Sequence, residues 1–206
     1  MFVKICGLTT EQGMKAAVAA GTDAIGLVFA RSPRQVDARR AEALLRMVPD
    51  GVARVAVFRT PSDSQIQTAL ALGFDAVQTD ASWTPVGLTD RCVWLPALRD
   101  GPNLVARVGE FLSRAAVPGL GGAVLTDGAS GGGMGEISQW DRVARAAQRH
   151  RLVLAGGLTP DNVGEAIARV RPWGVDVSSG VERAPGLKDP AKVRAFMAAV
   201  RATEVG

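Results

Sequence analysis

A thiol and a carboxylate, each closing an apolar run, are the groups in this chain best suited to chemistry. Cys6 ends Phe2-Val3-Lys4-Ile5 and is followed by Gly7-Leu8-Thr9-Thr10, a turn into a helix. Asp127 ends Ala123-Val124-Leu125-Thr126 and opens a glycine-bearing loop, Gly128–Gly135. In α/β folds the chemistry gathers at the carboxyl ends of parallel strands. A thiolate and a protonated carboxyl on one such rim form a general base and a general acid. A carboxyl held under a loop is expected to have a raised pKa, as an acid working near neutrality requires. Plainer roles stand beside these, because free cysteine also packs as a small hydrophobe and aspartate also caps helices and makes turns.

Two further segments look built for an anion. Leu154-Ala155-Gly156-Gly157-Leu158-Thr159-Pro160 and Val177-Ser178-Ser179-Gly180-Val181 each carry an apolar run into glycine and hydroxyl residues. Bare backbone N–H groups at Gly156, Gly157, Ser178, Ser179 and Gly180 could converge on a phosphate, although glycines also simply make tight turns. Arg34, Gln78 and Asp80 fall at other strand ends and join the same rim by chain position. Cys92, in Arg91-Cys92-Val93-Trp94, starts a strand at the opposite end and is expected to pack. His150 closes a surface helix, where the helix dipole accounts for it.

The elements that must position these groups alternate regularly. Strands are expected at Val3–Cys6, Ala24–Phe29, Arg54–Phe58, Ala76–Thr79, Val93–Leu98, Ala123–Asp127, Leu152–Ala155 and Val175–Ser178. They are near-continuous apolar runs, as parallel strands buried on both faces should be. Helices are expected at Glu11–Ala20, Ala38–Met47, Ser62–Leu72, Leu104–Arg114, Asp141–His150, Asp161–Arg169 and Pro190–Arg201. Thr159-Pro160 and Asp189-Pro190 offer an N-cap followed by a first-turn proline, and Gly21 and Gly73 follow helix ends. Ala81–Asp90 is too short and too broken by proline and glycine for a helix. Eight such beats predict a single (β/α)8 TIM barrel spanning residues 1–206 as one catalytic domain, with a doubly wound open sheet as the rival.

Composition narrows the function. With 47% hydrophobic residues among 206, the chain can bury a full core. No run approaches the ~18 apolar residues of a membrane span, and no secretory leader is evident. The two cysteines therefore read as reduced cytosolic thiols, and with one histidine they leave no structural zinc site. The +4 charge is dispersed over helix faces and only 5% of residues are aromatic, which does not suit nucleic-acid binding. A cytoplasmic location is expected. With no apolar stripe evident on the outer faces, a monomer is expected over a homodimer.

With these residues in hand, the chain resembles the phosphoribosylanthranilate isomerases of tryptophan biosynthesis. The resemblance rests on Lys4-Ile5-Cys6-Gly7-Leu8-Thr9, Gly26-Leu27-Val28-Phe29 with Ser32-Pro33-Arg34, and Val55-Ala56-Val57-Phe58. It continues through Leu125-Thr126-Asp127 with Gly132-Gly133, Ala155–Val163 and Val175-Asp176-Val177-Ser178-Ser179-Gly180-Val181-Glu182. It implies an Amadori rearrangement that opens a phosphorylated aminoribose and yields a 1-amino-2-ketose, without metal or redox cofactor. It implies Cys6 as the base at sugar C2, Asp127 as the acid at the ring oxygen, and Arg34 as the anchor of the anthranilate carboxylate. Lys4, Gln78, Asp80 and Asp176 are then expected among the substrate-binding positions.

The chain also departs from the family pattern. Gln-Leu-His-Gly becomes Gln78-Thr79-Asp80-Ala81, exchanging a potential cation for an anion. The loop after Asp127 reads Gly132-Gly133-Met134-Gly135-Glu136, and Ser138-Gln139 stands where Phe-Asp is usual before Trp140. Arg59-Thr60-Pro61 replaces an apolar residue and asparagine. Two other readings are a related barrel isomerase of another phosphosugar amine and a non-catalytic phosphate-ligand-binding relative.

Overall fold

Short strands rich in valine, leucine and alanine, buried on both faces, need helices to cover their outer side, and here they close into a barrel. The computed structural model describes residues 1–80, 92–114, 122–128 and 139–204. Its barrel strands are β1 (Phe2–Cys6), β2 (Ala24–Val28), β3 (Ala53–Val57), β4 (Ala76–Asp80), β5 (Val93–Arg99), β6 (Val124–Asp127), β7 (Leu152–Leu154) and β8 (Gly174–Val177). Each pairs in parallel with the next, and β8 pairs with β1 to close the ring. That last pairing excludes the open doubly wound sheet.

The described helices are α1 (Glu11–Ala19), α2 (Ala38–Leu45), α3 (Asp63–Ala71), α4 (Leu104–Arg114), α5 (Trp140–Ala147), α6 (Val163–Val170) and α7 (Pro190–Ala202). The last packs against the first. Local chemistry explains the starts: Thr10 caps α1 through Gly13 N–H, and Ser62 with Gln65 makes a reciprocal capping box on α3. Asp189 caps α7 ahead of Pro190 as its sequence suggests. Gly21 and Gly73 follow α1 and α3 with φ of 77° and 79°, the left-handed turn that glycine makes without strain.

Three local expectations change. Helix α6 begins at Val163, not Asp161, because Thr159 does not cap it. Instead Thr159 N–H donates to Asn162 Oδ1 at 2.8 Å, and Asn162 Nδ2 donates to the Gly157 carbonyl at 2.9 Å. Helix α5 begins at Trp140 and ends at Ala147, so His150 lies past its end, its N–H returning to Ala146 O. After β8 the chain makes an unexpected tight 3-10 turn at Ser179–Val181. An antiparallel hairpin then follows, β9 (Glu182–Ala184) and β10 (Leu187–Lys188). The stretch Ala81–Asp90 lies outside the described residues.

Alternation along the strands divides the core in two. Val3, Ile5, Ile25, Leu27, Ala56 and Val77 face outward into a large cluster shared with the helices. The interior is filled by smaller sets, Leu95, Leu125 and Val153 with Ala123 and Ala155, and Ala24, Val55 and Ala76. At the amino end of the barrel Phe2 stacks on Trp173 with centroids 4.7 Å apart, and the Arg151 guanidinium lies 3.9 Å from the Trp173 ring centre. The carboxyl end therefore carries the opening.

Gly174 shows how tightly the seam is closed. It sits opposite Phe2 in the β1–β8 ladder, and an added Cβ would lie 2.7 Å from the Phe2 carbonyl oxygen. Gly174→Ala is expected to destabilise the fold by ~1–3 kcal/mol, the usual penalty for overpacking. Urea unfolding measures it, and an unchanged midpoint would mean that the seam yields freely.

Candidate active site

The inward positions nearest the carboxyl ends of the strands line one open cleft. Cys6 comes from β1, Val28 from β2, Gln78 and Asp80 from β4, and Asp127 from β6. Ala155, Gly156 and Gly157 follow β7, Asp176 lies on β8, and Ser178 and Ser179 follow it, while Arg34 reaches in from the loop after β2. Chain position alone had put Cys6, Arg34, Gln78, Asp80, Asp127, Gly156, Gly157, Ser178 and Ser179 at one rim, whereas Asp176 was expected there only from the family resemblance. No hydrogen bond joins Cys6 to Asp127 among the described residues, so the two face a shared space rather than each other's atoms.

Beneath the cleft lies a buried ion pair. Lys4 Nζ donates to Asp176 Oδ1 at 2.7 Å, with the lysine side chain fully inaccessible. The pair follows from the register, which sets Lys4 beside Asp176 on β1 and β8. Lys4, expected among the substrate-binding positions, is thus placed under the floor of the cleft rather than on its wall. Burial works against its charge, but Asp176 first and then Cys6 outweigh burial and raise its pKa.

Cys6 follows Lys4 by two residues on the same face of β1. It is 7% exposed, and burial pushes its thiol pKa up more than the nearby Lys4 and Lys188 charges pull it down. Room for the sulfur is made by the neighbouring strand: a Cβ at Gly26, its partner in the ladder, would lie 2.8 Å from Cys6 Sγ. Cys92 packs in the outer cluster just before β5, its thiol pushed up to about 11 by burial and by Asp75. That is the packing role expected of it.

Asp127 has the character of an acid. Its pKa is pushed up to about 6, chiefly by burial and further by Asp176, while the Gly128 N–H at 2.8 Å, Lys4 and Arg99 pull it down. The loop expected over it, including Gly132-Gly133 and Met134, lies outside the described residues. Gln78 is 9% exposed in the cleft wall, and its buried Oε1 has no hydrogen-bond partner among the described residues.

The two loops after β7 and β8 close on each other. Gly156 and Gly157 have φ of 88° and 65°, and a Cβ at Gly180 would fall 1.9 Å from the Leu158 carbonyl oxygen. Only glycine permits that approach. Among the described residues, the N–H groups of Gly156, Gly157, Ser179 and Gly180 find no backbone acceptor in a turn, loop or cap. Those of Ser179 and Gly180 head the tight turn after β8.

A second charged cluster, which sequence reading missed, surrounds Arg34. Arg34 Nε and one terminal nitrogen donate to the two oxygens of Glu182, both at 2.8 Å. Lys188 Nζ donates to Glu182 Oε1 at 2.8 Å and to the Ser178 carbonyl at 2.9 Å. Glu182 was visible in the sequence as the last residue of a matched motif. Lys188 had no such signal, because its importance depends on the β9–β10 hairpin folding it inward.

Asp127 supplies a test that needs no substrate. A carboxyl with a folded pKa near 6 and an ordinary unfolded value near ~3.9 binds more protons when folded, so stability falls as pH rises between them. The loss, on the order of 3 kcal/mol at most, is absent below ~4 and complete above ~6. Asp127→Asn should remove this dependence and be the more stable protein at pH 8 in urea titrations. Parallel pH profiles for the two proteins would place the carboxyl in ordinary solvent.

Comparison with known proteins agrees with this geometry. The family model for N-(5'phosphoribosyl)anthranilate (PRA) isomerase matches residues 3–82 and 117–199. An N-(5'-phosphoribosyl)anthranilate isomerase of Chromohalobacter salexigens is 44% identical over 98% of this chain and 95% of its own. The phosphoribosyl anthranilate isomerase of Thermus thermophilus superposes with a TM-score of 0.83 at 30% identity, covering 98% of this chain and 99% of that one. Another solved isomerase, in complex with reduced 1-(o-carboxyphenylamino)-1-deoxyribulose 5-phosphate, has a TM-score of 0.80 at 29% identity, over 98% and 99% of the two chains.

Proposed function

The chain belongs to the N-(5'-phosphoribosyl)anthranilate isomerase family, and on that premise we propose a role for each group around the cleft. The protein is an isomerase of tryptophan biosynthesis that carries out the Amadori rearrangement of N-(5'-phosphoribosyl)anthranilate. The observation that carries the assignment of roles is the meeting of a buried thiol and a buried carboxyl of raised pKa at one cleft, from β1 and β6.

Asp127 gives its proton to the ribose ring oxygen as the C1–O bond breaks, and the anthranilate nitrogen lone pair forms the iminium. Cys6, as thiolate, then removes the proton from C2, and that electron pair forms the C1–C2 double bond while neutralising the iminium nitrogen. The resulting enol-amine takes a proton at C1 and gives up its hydroxyl proton, so C2 becomes the ketone. C1 is reduced and C2 oxidised within one molecule, so the electrons balance internally.

The buried Lys4 cation stabilises the thiolate in a setting where burial opposes it. Gly156, Gly157, Ser178, Ser179 and Gly180 receive the phosphate through their backbone N–H groups and hydroxyls. Arg34 holds the anthranilate carboxylate, and Gln78, Asp80 and Asp176 contact the sugar and its amine. The 206 residues act as one catalytic domain, in the cytoplasm and as a monomer. No helix among the described residues is long and apolar enough to cross a membrane.

Complementation of a tryptophan auxotroph lacking this isomerase, followed by a fluorescence assay on the purified protein, tests the activity. Cys6→Ala and Asp127→Ala should each lower kcat by ~10²–10⁴-fold with folding retained. Near-normal turnover in Cys6→Ala would remove the thiol from the mechanism.

The pH profile should carry a specific signature. The productive form needs Cys6 deprotonated and Asp127 protonated, although Asp127 titrates at about 6 and Cys6 well above it. Log kcat/KM should therefore rise with pH to about 6, run flat, and fall only above the thiol's raised range. In Asp127→Asn the residual rate should keep rising through pH 6. A bend persisting there would belong to another group, such as the substrate phosphate.

A further inference from the structure

Arginine offers five N–H donors in a planar fork, and here Glu182 takes two of them, on Nε and one terminal nitrogen. Three remain, and they include the end-on edge formed by the two terminal nitrogens, which can itself receive a carboxylate through two parallel bonds. The guanidinium cannot swing to use its other edge. Its stem lies against Gly7, where an added Cβ would be 2.6 Å from Arg34 Cδ, and Glu182 fixes the opposite side.

Charge explains why a carboxylate can stand next to a carboxylate-binding arginine. Glu182 alone would neutralise Arg34 and repel an incoming anion. Lys188, fully buried, donates to the same Glu182 oxygen that Arg34 Nε uses, so the triad of two cations and one anion keeps a net positive charge. Burial pushes the Glu182 carboxyl up, but the hydrogen bonds and charges of Arg34 and Lys188 outweigh it and hold it ionised. Lys188 also holds the Ser178 carbonyl, so the triad is tied to the loop after β8. Lys192 Nζ donates to the Glu182 carbonyl at 2.8 Å and fixes the backbone of β9.

We propose that Glu182, held by Lys188 from the β9–β10 hairpin, is a positioning residue for substrate specificity, aiming the end-on edge of Arg34 at the aromatic carboxylate of the substrate. The inference rests on the reading that Arg34 binds that carboxylate. It adds that the selectivity Arg34 gives for a carboxyl-bearing aromatic amine depends on a residue that does not touch the substrate.

The test compares two ligands by calorimetry, reduced 1-(o-carboxyphenylamino)-1-deoxyribulose 5-phosphate and its phenylamino counterpart lacking the carboxyl group. Their affinity ratio isolates carboxylate recognition, because phosphate and sugar contacts are common to both. Glu182→Gln should lower that ratio by about tenfold or more, the order lost when a charge-assisted hydrogen bond is misaligned. KM should rise with kcat nearly kept, and binding of inorganic phosphate should be unchanged. Arg34→Ala should abolish the discrimination. If Arg34→Ala lowers the ratio and Glu182→Gln leaves it unchanged, the positioning role is overturned while the anchor stands. If Arg34→Ala itself leaves the ratio unchanged, the anchor reading fails and this inference falls with it. Should Glu182→Gln lose its cooperative thermal transition, Glu182→Gln combined with Lys188→Met, which removes the fully buried ammonium that would otherwise lose its carboxylate, decides by the same ratio.

Discussion

The fold depends on a charge pair whose lysine is sealed from solvent. Lys4 and Asp176 meet inside the barrel with the lysine fully inaccessible, at the pairing of β1 with β8 that closes the ring. An unpaired charge at such a site typically destabilises a protein by ~3–5 kcal/mol, so each residue requires the other. A slip of one residue along β1 would turn Lys4 outward into the apolar layer beneath the helices. The pair therefore selects one register at the closing seam, where Gly174 and Phe2 independently demand the same alignment by shape. A non-local strand pairing, formed between the two ends of the chain, is fixed by both sterics and electrostatics.

That constraint passes directly to the site. Cys6 stands two residues beyond Lys4 and so shares its inward face, while Asp176 adds negative charge near both Cys6 and Asp127. Burial raises both proton-transfer groups, and the ion pair biases them in opposite senses, Lys4 favouring their anions and Asp176 their neutral forms. The resting cleft is thus poised with its protons on the wrong partners: thiol protonated, carboxyl largely ionised near neutrality. Moving a proton from one to the other requires little net charge change inside the barrel. A bound anionic substrate, which leaves the total charge of the two groups unchanged, need only alter their relative affinities.

The strands and most helices were legible because their signals are local. Apolar runs, caps such as Asp189-Pro190, and glycines after helices each act within a turn of chain. Cys6, Asp127 and the glycine-bearing loops after β7 and β8 could be placed together for a related reason, since strand ends share a rim in any barrel. The Arg34–Glu182–Lys188 cluster was hidden because it depends on a hairpin whose strands contain three and two residues, too short for any periodicity to appear. The false start of α6 had a physical cause as well. Asn162 spends its side chain on Gly157 and on the N–H of Thr159, so a sequence that resembles a cap serves the loop after β7 instead.

Two departures from the family pattern turn out to be neighbours. Asp80 brings an anion to the end of β4 in place of a histidine, and Arg59 brings a cation to the loop after β3. The structure joins them through the Asp80 N–H and the Arg59 carbonyl at 3.1 Å, and both residues line the cleft. Considered singly, Asp80 would weaken the attraction for a substrate carrying both phosphate and carboxylate. Considered together, and counted against a neutral histidine, the two exchanges leave the formal charge of this rim unchanged and separate it into a cation and an anion facing the same space. Long-range attraction of an anionic ligand depends on the sum of charges, whereas orientation near contact depends on their arrangement. The altered rim therefore keeps the first property and redraws the second, on the side of the barrel away from the loops proposed to take the phosphate.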